Sequence, residues 1–399
     1  MPALLSLRYT LPLFFALSLP LTGYGADTCV PVARWMAPGN EGATALEVPD
    51  LMARLAQRQV VLLGELHDSF EHHRWQLQTL AALYAQRPDM VLGFEMFPRR
   101  VQPVLDRWVK GDLSEAEFLK QSEWHKVWNY DPALYMPLFH FARMNRIPMR
   151  ALNVDRGLTT RVRELGWDAI PESERQGLSR PAPPQQAYLE ELLGVYQEHA
   201  RPNAKHGDTA KDAKPVALDD PDFLRFVQGQ QVWDRAMAEA IQRAAQTDKR
   251  VVGILGAGHI MHRYGVPYQL DDLGVADSAV LLAWDQQRDC KDLKPGIADA
   301  VFGIAAPTEA EITAKPRLGI VLEGAPGMVR VAKVLEDSIG DAAGLIANDL
   351  LIEVAGVKIK QLSEVSDIVQ RQAPGTWLPI TLSREGHEFD IVAKFPASP

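Results

Sequence analysis

The chain has 399 residues, which is more than one compact core usually holds, so two domains are expected. Its apolar content of 47% and charged content of 23% are typical of a globular protein. A formal net charge of -9, with no run of Lys or Arg, argues against nucleic acid as a partner.

The N-terminus has the pattern of an export signal. Arg8 precedes an apolar run from Leu11 to Leu21, and small residues suited to cleavage follow as far as Ala26. The run is short for a membrane span, although an uncleaved anchor is the alternative. We therefore assign residues 1–26 to a signal peptide and expect an exported, periplasmic protein, with membrane association left open.

Cysteine usage fits an oxidising compartment. Cys29 and Cys290 are the only cysteines of the chain, and after export they could pair with each other. This disulfide would tie the mature N-terminus to the end of the first domain. It would also remove both thiolates from consideration as metal ligands or nucleophiles.

The stretch Gln59–Asp68, which reads QVVLLGELHD, is the feature around which we expect the first domain to be built. Its apolar run Val60–Leu63 is typical of a central strand that is covered on both faces. In an open α/β sheet, ligands bind in the crevice at the carboxyl ends of the strands. Glu65 and His67 are therefore expected in that crevice.

Two further strands end in ionisable residues. The run Val252–His259, VGILGAGH, repeats the pattern of an apolar strand followed by Gly-x-x-His. The run Met90–Glu95, MVLGFE, delivers a carboxylate that must be solvated, paired or bound to a cation. An ion pair with Arg99 or Arg100 is the alternative to a functional role for this glutamate.

These strand ends predict a site that could hold a divalent metal. Glu65, His67, Glu95 and His259 supply the imidazole and carboxylate groups that bind Zn, Mn or Fe. A bound metal would acidify water for hydrolysis, with a spare carboxylate as base. The sequence has no contiguous metal motif, and no Gly-x-Ser-x-Gly elbow, P-loop or dinucleotide fingerprint.

An aromatic segment lies between these strands in the sequence. Leu113–Tyr135 is predicted to be helical and contains Trp124, Trp128 and Tyr130. Such clusters usually form core, but they would also suit a flat apolar ligand such as a porphyrin, with Tyr or His as the axial ligand to iron.

Other elements follow from hydrophobic periodicity and capping signals. Asp68 and Glu71 resemble a capping box for a helix that ends near Ala85, with His73 on its inner face and His72 in solvent. The remaining predicted elements are a short helix at Leu46–Arg58, a strand at Ile147–Asn153, helices at Gln186–Glu198 and Asp222–Ala245, a last strand at Ala279–Trp284 and a linker at 301–315.

Five segments in chain order carry a resemblance to a known family: GELHD at Gly64–Asp68, GFEMF at Gly93–Phe97, ALNV at Ala151–Val154, QQVWDRAMA at Gln230–Ala238 and GAGHI at Gly256–Ile260. Residues 30–300 resemble the ChaN-like haem-binding family of the Tiki superfamily. The resemblance implies an α/β fold with a mostly parallel sheet flanked by helices. It also implies haem binding in iron acquisition, often by homodimers, and we expect the haem ligand among Tyr130, His73 and Tyr264 of this chain.

The wider superfamily also contains hydrolases. They use the Gly-x-x-His histidine, a strand-end glutamate and a late Gly-His, which fall on His67, Glu95 and His259 of this chain. The resemblance therefore implies that the same three residues are catalytic if the protein is a hydrolase. Whether it is an enzyme is left open.

Residues 316–399 resemble a bacterial PDZ domain, a small β-rich fold. The run RLGIV is followed by short strands with Gly turns, and Asn348 stands where glycine is commoner. The resemblance implies that backbone N–H groups of Leu318, Gly319 and Ile320 hold the C-terminal carboxylate of a protein or peptide. Packing or dimerisation through this domain is the alternative.

Three functions are thus compatible with the sequence. The first is an exported haem-binding or haem-uptake protein whose PDZ domain recruits a partner. The second is a metal-dependent hydrolase, a peptidase or esterase, that uses the strand-end His and Glu residues. The third is a non-catalytic adaptor.

Overall fold

The structure is a computed structural model that describes residues 29–128, 130–199, 216–247, 249–305, 316–325, 327–372 and 375–396. The predicted signal peptide and most of the predicted linker lie outside these residues. Among the helices described, none is both long and apolar enough to cross a membrane.

The described elements alternate between strands and helices up to residue 304 and are mainly strands after residue 319. The strands are β1 Trp35–Ala37, β2 Thr44–Leu46, β3 Val60–Glu65, β4 Met90–Pro98, β5 Met149–Asn153, β6 Arg250–Gly256, β7 Ser278–Asp285, β8 Ala300–Ile304, β9 Ile320–Ala325, β10 Met328–Val334, β11 Leu350–Val354, β12 Val357–Lys358, β13 Trp377–Arg384 and β14 His387–Lys394. The helices are α1 Val48–Leu55, α2 Phe70–Gln86, α3 Gln102–Lys110, α4 Glu115–Gln121, α5 Trp124–Val127, α6 Pro132–Met144, α7 Arg156–Leu165, α8 Gln186–His199, α9 Pro221–Ala245, α10 Val266–Asp272, α11 Ile339–Ala342 and α12 Leu362–Gln370.

The first domain is built on one sheet in the order β2-β1-β8-β7-β3-β6-β4-β5. From β8 to β5 all neighbouring strands run parallel, and β1 is antiparallel to β2 and β8. The expectation of a mostly parallel sheet with β3 near its centre is confirmed. Because β3 and β6 are neighbours, the two Gly-x-x-His segments begin side by side.

Both faces of this sheet are covered by helices. Leu63 packs on one face with Trp75 of α2 and Leu138 of α6, whereas Leu62 packs on the other with Ile241 of α9. Consecutive apolar residues of β3 therefore pack into the cores on opposite faces of the sheet. This explains why the strand is apolar without alternation.

Several local predictions needed correction. The predicted helix Leu113–Tyr135 is broken into α4, α5 and the first turn of α6, and the first break includes Glu123, whose φ is 55°. The cap of α2 is Ser69 rather than Asp68, since the Ser69 hydroxyl accepts the His72 N–H. The sheet also extends through β8, so the first domain includes residues 301–304, which the sequence had placed in the linker.

The predicted disulfide is confirmed. Cys29 and Cys290 are bonded, with Cα atoms 5.6 Å apart, in the range that a disulfide requires. The bridge joins residues 261 positions apart and holds the start of the described chain against the end of the first domain. In the chain-entropy model, a disulfide that closes so long a loop strongly stabilises the folded state.

The C-terminal domain is an antiparallel sheet in the order β14-β13-β11-β10-β9, with α12 beside β9. Asn348 has a φ of 78°, a left-handed conformation that glycine adopts most readily and asparagine tolerates. The departure noted in the sequence is thus compatible with the PDZ turn. His125 Nε2 of α5 lies 3.1 Å from Asp367 Oδ2 of α12 and links the two domains.

Candidate functional site

A cleft of about 740 Å³ opens at the carboxyl edge of the first sheet. This is the volume of a typical small-molecule site. The residues that line it come from the ends of β4 and β5, from the segments after β3 and β6, from the segment around α5, from the start of α7 and from α9. They are His67, Glu95, Met96, Pro98, Arg100, Glu123, Lys126, Val127, Trp128, Tyr130, Asn153, Val154, Asp155, Arg156, Gly157, Gln230, Trp233 and His259.

His67 is positioned by the buried carboxylate of Glu65. The imidazole Nδ1–H donates to Glu65 Oε1 at 2.7 Å, and the hydroxyl of Tyr135 donates to the same oxygen at 3.2 Å. Burial by itself lowers the pKa of His67, but the hydrogen bond to Glu65 and the charge of Glu95 outweigh burial and raise it. Glu65 thus fixes the ring and favours its protonated form.

Glu95 lies between the cleft and the end of β6. Its Oε2 accepts the N–H of Gly256 at 2.6 Å, and its Oε1 is 3.4 Å from His259 Nε2. Arg99 and Arg100 bind other groups, so they do not neutralise Glu95: Arg99 donates to the Ala236 carbonyl and Arg100 pairs with Asp155. The alternative role of Glu95, an ion pair with one of these two arginines, is therefore not what the structure shows.

His259 has a second carboxylate partner on α9. Its Nδ1–H donates to Asp234 Oδ1 at 2.6 Å, and Asp234 Oδ2 accepts the Tyr188 hydroxyl at 2.8 Å. Burial lowers the pKa of His259, but the charges of Glu95 and Asp234 and the bond to Asp234 raise it to about 9. The two carboxylates therefore favour the protonated form of the His259 ring.

Gly256 makes room for this arrangement. A Cβ at Gly256 would lie 2.7 Å from His67 Cε1 and 3.5 Å from Glu95 Oε2, whereas a Cβ at Gly258 would meet nothing within 4 Å. The close approach of β6 to His67 thus requires glycine at position 256 but not at position 258.

Aromatic rings form the walls of the cleft. The His67 ring lies 4.7 Å from the Trp128 ring and 5.3 Å from the Tyr130 ring, measured between centroids. On the opposite side, Trp233 contacts His259 edge-on at 5.7 Å. The cleft therefore combines flat apolar surfaces with imidazole and phenol groups.

The three predicted haem ligands occupy different places. Tyr130 lines the cleft. His73 is buried behind it, with Nε2 at 3.2 Å from the carbonyl of His67 and Nδ1 at 3.1 Å from Gln76 Oε1, so neither nitrogen faces the cleft. Tyr264 packs beside Tyr188, 6.0 Å between ring centroids, and does not line the cleft. The geometry thus favours Tyr130 among the three.

The four predicted metal ligands lie in one region but do not form an ion-binding group. Glu65, His67, Glu95 and His259 bind one another or neighbouring protein groups. Within the described ranges, no three His, Cys, Asp or Glu side chains are arranged to hold a metal ion. The predicted metal site therefore has no support in this geometry.

Sequence reasoning missed several residues that position the site. Trp233 of α9 lines the cleft and the buried Asp234 holds His259 from behind, and neither residue is singled out by the sequence pattern of this helix. His72, expected in solvent, is 3% exposed; it accepts the Leu66 N–H and lies 3.1 Å from an oxygen of Asp285. The only available signal was two adjacent histidines in the first turn of α2, which does not show which one faces inward.

The predicted peptide-binding loop lies at the start of the PDZ sheet. Gly319 has a φ of 71°, and its carbonyl accepts the Leu335 N–H at 2.8 Å. The carbonyl of Leu318 accepts the Gly340 N–H at 2.6 Å. These bonds fix the turn that leads through Ile320 into β9. This strand is an edge strand of the sheet. The role of Leu318, Gly319 and Ile320 in binding a carboxylate stays a prediction.

Comparison with known proteins identifies both domains. A family described as "Haem-binding uptake, Tiki superfamily, ChaN" matches residues 51–270, and a PDZ family matches residues 330–384. A search of curated proteins finds no match.

Solved structures give similar but distant matches. ChaN of Campylobacter jejuni, described as showing cofacial haem binding, is 18% identical, covers 67% of this chain and 95% of its own, and has a TM-score of 0.49. The serine endoprotease of Yersinia pestis is 27% identical over 21% of this chain and 29% of its own, with a TM-score of 0.19. The HtrA3 PDZ domain bound to a phage-derived ligand is 19% identical over 20% of this chain and 84% of its own, with a TM-score of 0.19.

The family match to residues 51–270 spans more than half of the 399 residues. It includes the three strands whose ends carry His67, Glu95 and His259, together with α9. The chain therefore belongs to the ChaN family of haem-binding uptake proteins in the Tiki superfamily, and it carries a C-terminal PDZ domain.

Proposed function

We propose that this protein is exported, binds haem in the cleft at the carboxyl edge of its first sheet, and recruits a protein partner through its PDZ domain. The observation that carries the proposal is the composition of the cleft. It places Trp128, Tyr130 and Trp233 around a cavity of about 740 Å³ in a domain of a haem-binding family.

The residues present fit a porphyrin. Aromatic walls suit its flat apolar faces, and haem would supply an iron that takes Tyr or His as axial ligand. Arg100, Lys126 and Arg156 line the same cleft and could pair with carboxylate groups of the ligand. Arg100 and Lys126 also pair with Glu123, so Arg156 is the better partner for an incoming anion.

Tyr130 is the residue that we propose as iron ligand. Burial, followed by the charges of Asp68, Glu65 and Glu95, raises the pKa of its phenol. The phenol therefore ionises only when a nearby cation compensates for these carboxylates. His67, 5.3 Å away between ring centroids, is close enough to influence that ionisation.

Titration of the mature protein with haemin, followed by the Soret band, tests this proposal. We expect saturable binding with a shifted band. Tyr130→Phe should weaken binding at least tenfold, about 1.4 kcal/mol, and change the spectrum. Tyr264→Phe is the matched control because Tyr264 lies outside the cleft, and His73→Gln should leave the ligand-field bands unchanged. Unchanged affinity and spectrum in Tyr130→Phe would reject this ligand.

The export and partner proposals rest on separate observations. The Cys29–Cys290 disulfide supports an oxidising compartment such as the periplasm, which fractionation with thiol labelling would test.

The open edge of β9 beside α12 supports peptide addition to the sheet. A library of peptides with free or amidated C-termini tests this role, and equal binding of both forms would contradict carboxylate recognition.

Homodimerisation is proposed on the family resemblance alone. Light scattering of the mature protein with and without haemin measures it directly. A mass that doubles on haemin addition is the expected result. A constant monomer mass at saturating haemin would contradict a dimer that shares haem.

Hydrolysis is a second proposal, favoured by one observation. His67 and His259 both lie beside Glu95 at the cleft, and a carboxylate near imidazoles suits general acid–base chemistry. Ester and peptide substrates, assayed with and without added divalent metal, would test it. Turnover that Glu95→Gln abolishes would support hydrolysis at this site. Equal turnover in the variant would show that Glu95 does not take part in it.

A further inference from the structure

A second cavity lies away from the haem cleft, between the outer strand β5 and the C-terminal half of α9. Its volume is about 290 Å³, and it shares no lining residue with the cleft. Its lining residues are Val91, Arg99, Gln102, Arg150, Ala151, Ala240, Arg243, Ala244 and Thr247. We infer that this pocket binds a small organic anion, a phosphate or carboxylate attached to a compact apolar body.

Positive charge dominates the pocket. Arg99, Arg150 and Arg243 line it, and none of the described lining residues is acidic. Guanidinium groups are the side chains best suited to bind phosphate and carboxylate through paired N–H donors. Three of them around one small cavity offer an anion several such donors at once.

The neighbouring carboxylates do not remove this charge. Glu239 lies 3.6 Å from Arg99 and 3.3 Å from Arg243, but it also lies 3.6 Å from Arg235 and accepts the hydroxyl of Ser179. One carboxylate is thus shared among several donors. The negative end of the α9 dipole offsets a further fraction of a charge.

Arg150 is the third guanidinium of the pocket. It lies 3.7 Å from Asp106 and donates to the Met149 carbonyl at 3.3 Å. Two carboxylates, Glu239 and Asp106, thus face the three arginines that line the pocket. An excess of positive charge remains among the described residues.

Arg99 is short of hydrogen-bond acceptors and of negative partners. Two of its nitrogens donate to the carbonyls of Ala236 and Gln176, whereas its buried Nε has no hydrogen-bond partner. A buried donor without an acceptor is costly. Burial, and next the charge of Arg243, lowers the pKa of Arg99, as expected for a cation short of negative partners.

The apolar side of the pocket decides the class of anion. Val91, Ala151, Ala240 and Ala244 contribute small aliphatic surfaces to the same lining as the guanidinium groups. Both amide atoms of Gln102 are already bonded to β5, to the Met149 carbonyl and the Ala151 N–H. An anion with a small hydrocarbon or aromatic part therefore matches the pocket better than inorganic phosphate does.

Calorimetric titration of the full mature protein with phenyl phosphate, benzoate, inorganic phosphate and phenol tests this inference. We expect one saturable site for the organic anions, weaker binding of inorganic phosphate and none of phenol. Arg150→Gln and Arg243→Gln should each weaken phenyl phosphate binding at least tenfold. Both side chains are 40% or more exposed, so both variants should fold.

Arg74→Gln is the matched control, since Arg74 is an exposed cation on α2 away from the pocket. It should bind phenyl phosphate like the wild type, and all three variants should bind haemin normally. Phenol binding as tight as phenyl phosphate, no saturable binding by any anion, or wild-type affinity in Arg150→Gln and Arg243→Gln would each overturn the inference.

Discussion

Replacing Asp234 by Asn tests the electrostatics of the cleft most sharply. Asp234 accepts the Nδ1–H of His259 at 2.6 Å, and Glu95 lies 3.4 Å from the other ring nitrogen. Burial lowers the pKa of His259, but these two carboxylates raise it from 6.5 to about 9. The difference corresponds to about 3 kcal/mol of preference for the protonated ring.

Asp234→Asn removes one of the two charges that hold this proton. We expect the pKa of His259 to fall by at least about one unit, which is about 1–2 kcal/mol. Because the folded-state pKa exceeds the ordinary value, this stabilisation is fully present below pH 6.5 and is lost as the pH rises through about 9. The variant should therefore be less stable than the wild type at pH 6, and this difference should shrink by pH 9.

Histidine ring NMR as a function of pH measures the pKa, and denaturant unfolding at pH 6 and pH 9 measures the stability. Tyr188→Phe is the control, since it removes the other hydrogen bond to Asp234 but leaves the carboxylate in place. Its His259 should still titrate near 9. A pKa that stays near 9 in Asp234→Asn would show that Asp234 does not hold the proton on His259.

Two further predictions concern the cleft and the disulfide. Gly256→Ala should displace the His67 ring, since the added Cβ would lie 2.7 Å from it, and should weaken haemin binding; Gly258→Ala, with open space around its Cβ, should not. Equal haemin affinities in these two variants would contradict the steric argument. Cys29→Ser should lower the free energy of unfolding by about 2–4 kcal/mol, and reductant should do the same to the wild type but not to the variant. A reductant effect in Cys29→Ser would show that the lost stability is not due to the bond with Cys290.

Hydrophobic patterning was enough to predict the sheet and the edge at which the candidate residues meet. Runs such as Val60–Leu63 are apolar because both faces of β3 are covered, and this burial is visible in sequence. The ends of such strands had to meet at one edge. His67, Glu95 and His259 were therefore placed together correctly by chain order and strand type alone.

The partners of those residues could not be predicted in the same way. Asp234 reaches His259 across 25 positions and Tyr188 reaches Asp234 across 46, so only the packing of α8 and α9 brings them together. The cap of α2 differed by one residue because Asp68 and Ser69 are both good caps. The metal prediction counted ligand types but not the hydrogen bonds that these groups make to each other.

Anomalous diffraction at the iron absorption edge, from crystals of the mature protein grown with haemin, would show where the haem binds. We expect one strong iron peak per chain in the cleft between Trp128 and Trp233, next to the ring of Tyr130. An iron peak elsewhere, at the arginine pocket, at the PDZ domain or at a surface histidine, or no peak despite saturating haemin, would contradict this expectation.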